Sequence, residues 1–138
     1  MLPTLLTTTI LTNKNGDLLL VKRANNPFFG LWSLPGGKVN TDELLSESSI
    51  REIEEELGIK MKEVTPIGFI ELDKPNHAIV FIYSSIFIFD EDKLDPATRE
   101  ISDIKWVSID KIDSYEPFPP NHRKVIDFYL NKIQARKC

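Results

Sequence analysis

The stretch "PGGKVNTDELLSESSIREIEEELGI", residues 35–59, decides how the rest of the chain is read. It carries six glutamates (Glu43, Glu47, Glu52, Glu54, Glu55 and Glu56) and a single arginine, Arg51, behind a Pro-Gly-Gly turn. Residues 43–57 read as a helix, with Thr41 or Asp42 as N-cap and Gly58 as the stop. At about 100° per residue, Glu52, Glu55 and Glu56 share one arc, and Ile50, Ile53 and Leu57 form an apolar stripe. Glu43, Glu47 and Glu54 fall on a third side facing water, where Glu47 and Arg51 have the favourable i,i+4 spacing. Three like charges near a helix C-terminus are an electrostatic cost that the dipole increases. Nothing else in the helix is expected to offset it, and a divalent cation would. Clustered carboxylate oxygens suit hard ions such as Mg²⁺ or Mn²⁺.

The plainer account of a Glu-rich helix is a solvated acidic face. The flanking residues argue against it here. Ser48 and Ser49 are small and sit one turn before Glu52, so a loop backbone can approach. Gly36 and Gly37 can supply that loop, including a backbone carbonyl as a further oxygen ligand.

Outward from this stretch, "TLLTTTILT" (4–12) and "LLLVKR" (18–23) read as strands joined by an Asn-Gly turn, a hairpin. Residues 24–38 are a loop dense in Pro, Gly and aromatics. Residues 64–72 and 77–89 read as strands, the second almost continuously apolar and so buried on both faces. Residues 90–100 form a polar loop, 101–109 a shorter strand and 108–113 a helical turn. A rigid "PFPPN" (117–121) leads into an amphipathic helix over about 122–135. Helices on both faces of a mixed sheet would bury these surfaces, giving an α/β/α sandwich.

The chain has 138 residues, 41% of them hydrophobic, and a formal net charge of −4. This predicts one domain over 1–138 and disfavours nucleic acid or an anionic membrane as partner. The one cysteine, Cys138, excludes a disulfide framework and makes a reducing, cytoplasmic setting the default expectation. The apolar N-terminus has no basic start and is too short to span a membrane.

The pattern G-x5-E-x7-R-E-U-x-E-E-x-G-U, with U a bulky aliphatic residue, is met by Gly37, Glu43, Arg51, Glu52, Ile53, Glu55, Glu56, Gly58 and Ile59. The chain therefore resembles the Nudix hydrolases, and "LLLVKR", "GLWSLPGGK" and "EISDIKWVS" look like their MutT-like branch. Two departures are Asp42, where glycine is frequent, and Ser48 with Ser49, where paired alanines are frequent. Neither removes a carboxylate.

The resemblance implies Mg²⁺- or Mn²⁺-dependent hydrolysis of a nucleoside diphosphate linked to another group, a small-molecule nucleotide substrate. It makes Glu52, Glu55 and Glu56 metal ligands or the base, with the Gly36 carbonyl beside them, and has Arg51 and Glu43 hold the loop against the helix. Glu100, six residues before Trp106, is a further metal-binding or basic glutamate. Arg23 and Lys38 would contact phosphate or nucleotide. Asn121 would either hydrogen-bond a purine edge or cap the last helix. Phe28, Phe29 and Trp32 could stack on a base or pack the loop over the sheet. His77 and His122, which open a strand and a helix, are assigned structural parts.

Two substrates remain open on this reading. One is a (deoxy)nucleoside triphosphate, including oxidised guanine nucleotides such as 8-oxo-dGTP. The other is ADP-ribose or a nucleotide sugar, to which Pro75, 16 residues after Ile59, gives some support. A non-catalytic nucleotide sensor is the reading from another class, and the intact box weighs against it. A homodimer is left open.

Overall fold

The computed structural model describes residues 2–90 and 93–136. Cys138 and two residues near the start of the predicted 90–100 loop (Glu91 and Asp92) lie outside the described residues. The elements run β1 (Thr4–Thr12), β2 (Leu18–Arg23), β3 (Trp32–Ser33), β4 (Gly36–Lys38), α1 (Leu45–Leu57), β5 (Thr65–Leu72), β6 (Ala78–Ile86), β7 (Ile101–Val107), a 3₁₀ segment (Ile109–Tyr115) and α2 (His122–Arg136).

A mixed sheet of seven strands is the middle layer. Its main path is β3-β2-β1-β6-β5, with β4 on β1 and β7 on β2. β1 runs parallel to β6 along its whole length, from Thr4 opposite Ala78 to Thr12 opposite Ile86. The predicted hairpin closes only at its tip, where Thr12 faces Leu18. Beyond that pair the strands separate, and the vacated edge of β1 takes β4 at Leu6, Thr7 and Thr8. The split brings the Pro-Gly-Gly segment into the middle of the sheet.

Alternation along the strands builds two cores. Ile10, Leu18 and Leu20 point to the face covered by α2 and the 3₁₀ segment, with Val125, Ile126 and Ile112. Leu11, Leu19 and Val21 point to the α1 face, with Ile53 and Leu57. This is the expected α/β/α sandwich. On the α2 side, Gly68 is bare because the Phe128 ring lies where its Cβ would be.

Three expectations need correction. The helix starts at Leu45, not 43, so neither Thr41 nor Asp42 caps it; the Leu44 N–H donates to the Glu47 carboxylate at 2.7 Å. Second, the strand predicted to reach residue 89 ends at Ile86, because its parallel partner β1 ends at Thr12. The apolar residues that follow fold into a ring cluster instead, with Phe87 packed on Phe89 and 5.5 Å from Trp106. Third, the loop 24–38 contains β3 and β4, strands of two and three residues.

Candidate active site

The α1 face nearest β1 is polar. Ser48 and Ser49 are fully buried. Ser48 shares a hydrogen bond of 3.2 Å with Thr7, and Ser49 one of 2.5 Å with Thr9. These hydroxyl pairs hold α1 against the sheet where larger side chains would push it away. The small residues therefore bring the helix to the strand as well as making room for the loop.

Both glycines of the turn are needed for close approach. A Cβ on Gly36 would strike the Thr7 carbonyl, and one on Gly37 would enter the Glu52 carboxylate. Gly36 then donates its N–H to Glu56 Oε2 at 3.0 Å.

Arg51 fastens the same loop to the helix. Its Nε and Nη2 donate to both oxygens of Glu43 at 2.9 and 2.8 Å. Nη2 also donates to the Lys38 carbonyl at 2.9 Å. Nη1 donates to Glu52 at 3.0 Å and Glu55 at 3.1 Å. All five guanidinium N–H groups are engaged, the full capacity of the side chain. The Arg51 pairing holds the Glu43 carboxyl down at about 2, while the same contacts push Arg51 above its ordinary value.

Two sequence expectations change here. Glu43 is not a solvated helix residue, because it precedes α1 and locks the loop. The predicted Glu47–Arg51 pair does not form, since Glu47 is turned to the Leu44 N–H and Arg51 to Glu43. The helix also carries its own partial offset for the acidic arc, because Arg51 touches both Glu52 and Glu55.

Glu56 receives no such partner. Burial, and next the Glu52 charge, push its carboxyl up to about 8, against the pull of the Gly36 N–H and Arg23. Glu52 is also raised, mainly by burial. Together with Arg23, Asn25, Ser33, Gly36 and Glu100, these two line a cavity of about 180 Å³. Glu100 thus joins Glu52 and Glu56 from a remote loop, while Glu55 lies outside, 55% exposed beside Arg51.

The Glu100 loop is tied to α1 by main-chain bonds. The Asp95 N–H donates to the Leu57 carbonyl at 2.8 Å, and the Ala97 N–H to the Glu56 carbonyl at 2.9 Å. The Glu100 carbonyl in turn accepts from the Ala24 N–H at 2.8 Å, next to Arg23.

Among the described residues no three acidic, histidine or cysteine groups are drawn into a ready-made ion cage. The reason is visible in the bonds just given: Glu56 is turned to Gly36, and Glu52 and Glu55 to Arg51. The donor set nevertheless fits a hard divalent cation. It consists of carboxylate oxygens around a polar cavity, with two of the carboxyls raised by burial and mutual repulsion.

A groove of about 1130 Å³ opens beside this cavity and shares Arg23, Gly36 and Glu56 with it. Arg23, Lys38 and Asn121 from the sequence reading line the groove, as do Phe28 and Pro75. Phe29 and Trp32 do not. Phe29 is 67% exposed at the loop tip. Trp32 packs edge-on against Tyr115 at 5.6 Å, with Lys22 over its ring. It is a piece of the α2-side core, which favours the packing alternative for it.

Asn121 occupies the position before α2 with φ of 77°, and its carbonyl accepts from the Val125 N–H at 3.0 Å. Its backbone starts the helix, while its amide is left without a hydrogen bond to the described residues. His77 pairs with Glu71 at 3.0 Å. Asn25, Lys74, Lys124 and His122 also line the two spaces and had no sequence signal beyond their polarity.

The NUDIX domain model matches residues 4–129. The chain belongs to the Nudix family. It is 32% identical over 120 residues to the ADP-ribose pyrophosphatase of Methanocaldococcus jannaschii, covering 85% of this chain and 68% of that protein. It is 29% identical over 124 residues to the 8-oxo-dGTP diphosphatase of Haemophilus influenzae, covering 89% and 88%. The crystal structure of the MutT protein from Methanosarcina mazei Go1 superposes with a TM-score of 0.80 at 29% identity, covering 99% of this chain and 97% of that one. This Nudix chain is thus similar to the MutT-like branch across nearly its whole length. No helix among its described residues is long and apolar enough to cross a membrane.

Proposed function

We propose that this Nudix chain hydrolyses the pyrophosphate linkage of a nucleoside diphosphate joined to a further group, with Mg²⁺ or Mn²⁺ held by Glu52, Glu56 and Glu100 and the Gly36 carbonyl nearby. The observation that carries this is the continuity of the two spaces. The carboxylate cavity meets the groove at Arg23, Gly36 and Glu56, so a nucleotide lying in the groove would bring its phosphates to the acidic residues. When bound, the cation supplies charge neutralisation on the phosphate oxygens and a lowered pKa for a bound water.

The chain's own residues do the rest. Arg23 offsets phosphate charge at the join. Arg51 cannot reach substrate without releasing its bonds, and it serves by fixing Glu43, the Lys38 carbonyl and Glu52 in one frame. Glu55 sits at the rim of that frame. The Glu100 carboxylate makes no hydrogen bond to the described residues and comes from outside the helix, which leaves it free either to hold the cation or to accept the proton of an attacking water.

For the substrate, a (deoxy)nucleoside triphosphate, with 8-oxo-dGTP among the candidates, is favoured by Lys38 and by the Asn121 amide, which lines the groove without a hydrogen bond to the described residues. ADP-ribose or a nucleotide sugar is the second reading. Pro75 in the groove wall and the Methanocaldococcus relative favour it. The test is mass spectrometry of products after incubation with Mg²⁺ and a panel of normal and 8-oxo triphosphates, ADP-ribose and nucleotide sugars, with EDTA controls. Monophosphate plus pyrophosphate supports the first reading, and AMP plus ribose 5-phosphate the second. Nucleotide binding in Mg²⁺ without any product would refute hydrolysis and support the sensor alternative.

A further inference from the structure

His122 does more than open α2. Its Nδ1 accepts a hydrogen bond of 3.0 Å from the Leu34 N–H. An imidazole nitrogen that accepts carries no proton, so in the neutral ring the proton sits on Nε2. No buried side-chain nitrogen or oxygen among the described residues lacks a partner. His122 uses Nδ1 alone, so Nε2 retains solvent contact, and the space His122 lines is the nucleotide groove.

We propose that His122 is a substrate-binding residue that presents an Nε2–H donor to an uncharged acceptor on the nucleobase. The inference rests on the hydrolase reading above. It adds a residue to which the sequence reading gave only a structural part.

The surroundings select the ligand atom. Burial, and then the Arg23 charge, hold the imidazole down at about 4, so the donor is neutral at ordinary pH. A neutral donor suits a carbonyl oxygen or ring nitrogen better than a phosphate, whose charge is better matched by Arg23 and Lys38, which line the same groove. The adjacent Asn121 amide offers two N–H donors and an acceptor oxygen from the same end of α2, and Phe28 also lines the groove. A base placed there would meet a donor of fixed direction, because the Leu34 N–H holds the ring in one tautomer and one orientation.

The two nitrogens can be separated by substitution. His122→Asn keeps an oxygen near the Nδ1 position for the Leu34 N–H but cannot reach the groove. His122→Gln keeps a donor near Nε2 but leaves the Leu34 N–H unpaired. Binding is measured with the α,β-methylene analogues of dGTP and ADP-ribose in Mg²⁺, using whichever binds the wild type more tightly. The expected result is a dissociation constant raised roughly 3- to 10-fold in His122→Asn, the ordinary worth of one neutral hydrogen bond, at unchanged melting temperature. His122→Gln should melt lower and bind more nearly as wild type. In long-range ¹H–¹⁵N spectra of the wild type, Nε2 should carry the proton and shift on saturation with the analogue. Wild-type affinity in His122→Asn, or an Nε2 signal unmoved by bound analogue, would overturn the proposal while leaving the hydrolase reading intact. Failure of wild-type protein to bind either analogue would overturn both.

Discussion

Glu56→Gln should stabilise the metal-free protein at neutral and higher pH, but not in acid. The Glu56 carboxyl is held at about 8 against an ordinary 4.5. The folded chain therefore keeps a proton that the unfolded chain releases, and the group's contribution is full below about pH 4.5 and lost as pH rises through 8. At pH 7 the unfolded carboxyl is about 2.5 units past its pKa while the folded one is still mostly protonated. At about 1.4 kcal/mol per unit this comes to about 3 kcal/mol, and residual solvent contact lowers it to about 2 kcal/mol. Glutamine keeps the acceptor for the Gly36 N–H and removes the titration. Urea unfolding in EDTA should show the variant more stable by roughly 2 kcal/mol at pH 7 and indistinguishable at pH 4.5. Adding Mg²⁺ should reverse the order, because ligand binding stabilises the chain that binds it, and turnover of the variant should collapse. A variant less stable than wild type at pH 7 in EDTA, or a difference equal at both pH values, would refute the account of Glu56 as the uncompensated charge.

Glu43 titrates in the opposite sense. Its folded value of about 2 lies below the ordinary 4.5, so its contribution is present above about pH 4.5 and fades as pH falls toward 2. Glu43→Gln should cost roughly 1–3 kcal/mol at pH 6 and little near pH 2.5, read by chemical denaturation. Gly37→Ala should cut kcat by at least about 10²-fold while circular dichroism stays native, since its methyl must displace the Glu52 carboxylate and misplacement of this size is costly. Trp32→Ala should lower stability by roughly 2–4 kcal/mol without a comparable rise in KM, whereas Asn121→Ala should raise KM with a stability loss of only about 1 kcal/mol, the strain of alanine at its left-handed φ. A rise in KM for Trp32→Ala alone would return the ring to the groove. Phe29→Ala should leave both quantities unchanged in the same assays.

The legible parts of the chain were those where period or spacing is long enough to carry information. β1 and β2 fall at the residues their β-branched and apolar runs indicated, and the Gly37-to-Ile59 spacing identified the helix and its carboxylates. β3 and β4 were hidden because strands of two or three residues show no alternation. They exist because β1 and β2 diverge, a tertiary event. The end of β6 was set by the length of its partner, which local apolarity does not encode. Within the site, spacing gave the acidic arc but not its pairing. Glu47 was nearer to Arg51 in sequence, and Glu43 won it through bidentate geometry across a turn. Buried Ser48 and Ser49 had visible partners in the Thr7–Thr9 run, a signal of small hydroxyls facing each other that could have been used. His122 had none, because its partner is a backbone N–H 88 residues away.

The fastening of the Glu100 loop has an evolutionary consequence. Asp95 and Ala97 reach the end of α1, and Glu100 reaches Ala24, through peptide groups alone. Leu94 packs on the α1-side core, but the exposed side chains of Thr98 and Arg99 are free to drift without moving the glutamate, so long as the number of residues is kept. Deletions and insertions there would be selected against where substitutions are not. This segment leads directly into Glu100, which lines the acidic cavity, so it offers a place where descendants of this chain can vary the approach to the cavity while keeping the glutamate in position.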